Sequence, residues 1–88
     1  MLLRKKIDLL EIGSIRKKIC KFLVDEYIDT NDLSIKINSK KELAEKLGMP
    51  RPSLSRELIL MRNNNILDFS LKEIKIKDIT LIENTLFN

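Results

Sequence analysis

The chain has 88 residues and a net charge of +4, with one cysteine, no histidine and no tryptophan. That length holds one domain with a small core, or one domain and a short appendage. It excludes a membrane span, since no stretch approaches ~18 apolar residues. It also excludes an internal disulfide and leaves zinc and iron-sulfur chemistry without ligands.

The amino-terminal "LLRKKIDLLEI" (Leu2–Ile12) carries Leu3, Ile7 and Leu10 at spacings of four and three. This is a narrow helical stripe, suited to a helix-helix seam or to packing on the chain's own domain. The segment has no apolar core followed by small residues and does not read as a secretory signal. Gly13 is expected to break the helix and Ser14 to cap the next one. From Ser14, Ile15, Ile19 and Phe22/Leu23 form the apolar side of a second helix fading near Asp29. Arg16, Lys17, Lys18 and Lys21 fall mostly on its other side. Cys20, beside Ile19, reads as a small core filler.

"DTNDL" reads as loop and "SIKIN" as a short strand. Ser39 then opens a helix with a capping box, accepting from the Glu42 amide while Glu42 reaches back to its own. Leu43, Ala44 and Leu47 form the buried face, and Gly48 is a helix stop. Pro50 and Pro52 bracket Arg51 at the start of a helix expected over about 51–63, since proline is tolerated in a first turn. At about 100° per residue Leu54, Leu58 and Met61 fall together, while Ser53, Arg56 and Asn63 fall away from them. Ile66–Phe69 and Ile74–Lys77 read as strands of a hairpin joined by Ser-Leu-Lys-Glu. Asp78 can cap a last helix, "ITLIENTLF".

The order is helix, small strand, helix, tight turn, helix, hairpin. The expected fold class is mainly α with a small β-hairpin, a winged helix-turn-helix. Charge is distributed to match. Residues 1–24 sum to +5 and residues 36–62 to +4, separated by an acidic −4 over 25–35. Two basic blocks can line one positive surface. In this arrangement the second helix of the pair enters the major groove and its leading residues meet base edges. Arg51 and Arg56, a little over one turn apart, suit guanine, because the guanidinium fork donates to O6 and N7 together. Ser53 and Ser55 are short donors for phosphate oxygens. Lys40, Lys41 and Lys72 can contact flanking phosphates, and the helix amino-terminus adds free amides.

"KKELAEKLGMPRPSLSRELILMRNNNIL" resembles the DNA-binding domain of the Crp/Fnr family of bacterial transcription regulators. The matching core is L-A-x-x-L-G (Leu43, Ala44, Leu47, Gly48) followed by R-x-x-x-S-R (Arg51, Ser55, Arg56). "LLRKKIDLLEIGSIRKKICKFL" resembles the end of that family's dimerisation helix, its hinge and the first helix of its DNA-binding domain. The resemblance implies a division into residues 1–13, dimerisation helix and hinge, and 14–88, DNA-binding domain. It implies Arg51, Arg56 and Ser55 as base contacts (Ser55 to base or phosphate), and Ser53 as a phosphate contact. Leu3, Ile7 and Leu10 become the dimer seam. It further implies a cytoplasmic homodimer on a palindromic double-stranded operator, recruitment of RNA polymerase, and a sensor domain that this chain lacks. The chain is therefore expected to be a fragment that holds no cofactor, any effector binding the missing domain.

Two positions depart from the family pattern. Pro52 stands where many members carry a base-reading glutamate, so the operator should differ. Pro50 stands where many carry a capping serine or threonine, a loss on the order of 1 kcal/mol. The rival class is a winged-helix protein-protein adaptor without specific DNA readout. An enzyme is not expected: no histidine, phosphate-cradling glycine loop with its lysine, or nucleophile-base pair is visible.

Overall fold

The computed structural model describes residues 2–87, and the side chains of residues 15–87. Four helices and three strands follow in the order α1 (Leu2–Thr30), β1 (Ser34–Lys36), α2 (Lys40–Leu47), α3 (Arg51–Asn63), β2 (Leu67–Phe69), β3 (Glu73–Ile76) and α4 (Ile79–Phe87).

The expected break at Gly13 is not made: α1 is one helix of 29 residues. An interior glycine costs about 1 kcal/mol relative to alanine. That penalty does not end a helix whose neighbours on both sides favour helix and whose second half is held by packing. The helix ends where the chain turns left-handed. Asn31 has φ 55°, its amide bonds the Tyr27 carbonyl, and the Thr30 hydroxyl donates to the Glu26 carbonyl. Asparagine visits that region more easily than other non-glycine residues.

The expected hairpin forms, but it is two-thirds of a larger unit. β1 joins it to give an antiparallel sheet in the order β1-β3-β2. Ile35 lies opposite Ile74, and Leu67 opposite Ile76. These four point inward and are buried, while Lys36, Asp68 and Lys75 on the alternate positions are exposed. Period-two alternation thus sets the register, since a slip by one residue would expose all four.

The core gathers Ile19 and Leu23 of α1, Leu43 of α2, Leu54, Leu58 and Met61 of α3, Ile74 of β3 and Ile82 of α4, all buried. α1 packs along α4 and also touches α3, so the long helix backs the helix pair. Asp78 caps α4 as expected, accepting from the Leu81 amide at 3.1 Å. No helix among the described residues is long and apolar enough to cross a membrane.

Candidate nucleic-acid interface

α2 and α3 are positioned by their termini. Ser39 Oγ accepts from the Glu42 amide at 3.0 Å, the forward half of the capping box. At the other end Gly48 has φ 70°. Its amide bonds the Glu45 carbonyl and the Met49 amide bonds the Ala44 carbonyl. These two bonds form a Schellman stop. Met49 is buried next to it and pins the turn.

α3 begins with Pro50 in an extended conformation and no side-chain cap. Pro52 has no N–H, so the first turn offers the amides of Arg51 and Ser53 to solvent or to an anion. Four orphan donors are usual at a helix start, and with the helix dipole they favour negative charge.

Leu54, Leu58 and Met61 are fully buried, which orients the opposite face of α3 outward. Arg51, Arg56 and Asn63 are exposed, while Ser53 and Ser55 are half-buried at the flanks. Among the described residues neither Arg51 nor Arg56 enters an ion pair. They are five positions apart, about 7.5 Å along the axis and about 140° around it. They therefore reach from different edges of the helix, Arg51 from its leading end and Arg56 from its outer face. Lys41 is exposed and Lys40 half-buried at the start of α2. The Lys40 ammonium lies 4.4 Å from the centre of the Phe69 ring. Lys72 is exposed in the turn between β2 and β3, and its carbonyl is held by the Ile37 amide. Leu3, Ile7 and Leu10 lie outside the residues whose side chains are described.

One charged pair escaped the sequence reading. Glu57 is buried on the inner face of α3. Its Oε2 accepts from Arg16 Nε of α1 at 2.5 Å. Helical spacing places Arg16 with the outward lysines, whereas packing turns it onto Glu57. The available signal was the position of Glu57, one residue before Leu58 and three after Leu54, inside the apolar stripe. A carboxylate there requires a cation.

Cys20 is fully buried in the core, as its reading as filler requires. Burial pushes its thiol up to about 11, against smaller lowering effects from Arg16 and a Thr85 hydrogen bond. It is a protonated core residue at neutral pH, not a reactive thiolate. No group of three or more potential metal ligands occurs among the described residues.

Residues 17–84 match the family model described as the Crp-like helix-turn-helix domain. No curated protein matches the chain. Among solved structures, one described as a transcriptional regulator of the Crp/Fnr family from Eubacterium rectale superposes with a TM-score of 0.75 at 23% identity. The match covers 83% of this chain and 33% of that one, so the chain spans about a third of that protein's length.

Proposed function

The chain belongs to the Crp-like helix-turn-helix domain family, and from that premise we propose that it binds double-stranded DNA in a sequence-specific way as part of a transcription regulator. α3 enters the major groove, Arg51, Ser55 and Arg56 read bases, and Ser53, Lys40, Lys41 and Lys72 hold phosphates, with β2 and β3 as the wing. The observation that carries this reading is the pair of exposed arginines, free of ion pairs among the described residues, on a helix whose opposite face is locked into the core. An arginine kept unpaired costs no partner to strip away before it meets guanine.

The full-length regulator is proposed to be a cytoplasmic homodimer on a palindromic operator that recruits RNA polymerase. Residues 1–13, with Leu3, Ile7 and Leu10, form the end of its dimerisation helix, and residues 14–88 the DNA-binding domain. Any effector would bind in a sensor domain outside this chain.

A second reading, a protein-protein adaptor, draws on Ile59 and Leu60, which are 41% and 51% exposed on α3. Fluorescence anisotropy on random duplex DNA, followed by selection and sequencing of bound molecules, separates the two. Enrichment of a short motif is expected, and a palindrome would also establish dimerisation. Absence of binding at low salt would leave the adaptor.

A further inference from the structure

Phe69, the last residue of β2, carries two cations on its ring. The Lys40 ammonium is 4.4 Å from the ring centre and the Arg62 guanidinium carbon 4.8 Å. Lys40 opens α2, and Arg62 lies in the last turn of α3. One aromatic side chain of the wing therefore joins both helices of the pair through their charged ends.

Two like charges are brought together here. Their centres lie within about 9 Å of one another, the sum of the two distances, roughly one Debye length at physiological salt. Among the described residues neither cation enters an ion pair. The neighbouring carboxylates are engaged elsewhere: Asp68 accepts from the Phe69 amide and Glu73 from the Ser34 hydroxyl. Arg62 also suits the negative end of the α3 dipole. Any of its rotamers would serve that role, so the dipole does not explain why it lies on the ring. The ring lies within cation–π range of both cations and attracts each without supplying a counter-charge. Lys40 is half-buried beside the ring, and Arg62 is exposed.

We propose that Lys40, Arg62 and Phe69 form a clamp for a single DNA backbone phosphate at the junction of wing and helix pair, with Arg62 as a direct contact and Phe69 as a positioning residue. This rests on the DNA-binding reading, which already gives Lys40 a phosphate, and adds Arg62 and Phe69 to that contact. A phosphodiester fits the chemistry because it is an anion with several acceptor oxygens, able to accept from an ammonium and a guanidinium at once. Pre-ordering both cations on an aromatic face lowers the side-chain entropy lost on binding.

The test measures binding of the whole chain to a fluorescein-labelled random-sequence duplex over a salt series. Each phosphate contact contributes roughly 0.9 to the slope of log affinity against log salt. Arg62→Gln and Lys40→Gln are each expected to shrink the slope by up to that amount, equally on every sequence. Phe69→Leu is expected to weaken binding several-fold and reduce the slope, and Phe69→Tyr to restore both. The glutamine variants keep the test open should Phe69→Leu fail to fold. Wild-type slopes for Arg62→Gln and Phe69→Leu, alongside salt-dependent binding by the unaltered chain, would overturn the clamp and leave DNA binding intact. Failure of the unaltered chain to bind at low salt would remove both.

Discussion

Arg16 of α1 and Glu57 of α3, 41 residues apart, share a hydrogen bond of 2.5 Å between Nε and Oε2. Glu57 follows Arg56 directly, so the pair anchors the inner side of α3 one residue from the outermost arginine. A rotation of α3 that turned Arg56 inward would break this bond and expose Leu54 and Leu58. The apolar stripe and the ion pair thus set the same face of the helix toward solvent.

Arg16→Ala should destabilise the fold by about 2 kcal/mol. The figure lies below the 3–5 expected for a wholly buried pair because the Arg16 side chain is 31% exposed and solvent screens it. The double variant Arg16→Met with Glu57→Leu should recover most of the loss, since it leaves no orphaned charge. Urea unfolding of Arg16→Met, Glu57→Leu and the double variant reads this out. A double variant whose loss equals the sum of the singles would show the two residues act independently.

Gly48→Ala should cost about 1–2 kcal/mol, from the left-handed backbone alone. A Cβ built there meets nothing within 4 Å, so steric crowding adds nothing. Gly48→Asn should cost less than the alanine, because asparagine tolerates that region. Thermal melts of the two variants decide it, and equal losses would point to a cause other than φ.

Arg56→Ala should lose discrimination at one base pair by roughly 1–3 kcal/mol while leaving affinity for unrelated duplexes nearly unchanged. Lys41→Ala should do the opposite, weakening all duplexes alike and flattening the salt slope. Competition binding with single-base variants of a selected site separates the patterns. Uniform loss for Arg56→Ala would take away its base-reading role.

The Cys20 thiol, ordinarily near 9, is raised to about 11 by burial. Because the folded-state value exceeds the unfolded one, the stability linked to the thiol is fully present below about 9 and declines as pH rises toward 11. Native protein at pH 8 should resist alkylation by iodoacetamide and react once unfolded in urea. Cys20→Ala should flatten the decline in stability above pH 9. Rapid alkylation of the folded chain would contradict the buried, protonated thiol.

Local chemistry was legible in the sequence where cause and effect lie within a turn or two. Ser39 caps α2 by an oxygen three residues from its donor. Gly48 ends that helix through its own φ. The spacing of Leu54, Leu58 and Met61 announces which face of α3 is buried. The order of these elements was enough to expect a winged helix-turn-helix. What lay beyond a turn or two had to wait for packing. Gly13 looked like a stop because glycine is a weak helix former, yet α1 continues through it. "SIKIN" reads as a short strand, and only the folded chain sets Ile35 against Ile74 to complete the sheet. Glu57 could be seen to need a cation, but not that Arg16 supplies it. Phe69 read as a strand residue, with nothing to mark it as the point where Lys40 and Arg62 meet. Caps and stripes are decided by bonds and spacings that the chain carries with it. Partners tens of residues apart are chosen by the hydrophobic contacts that bring whole elements together, and one-dimensional patterns do not carry those distances.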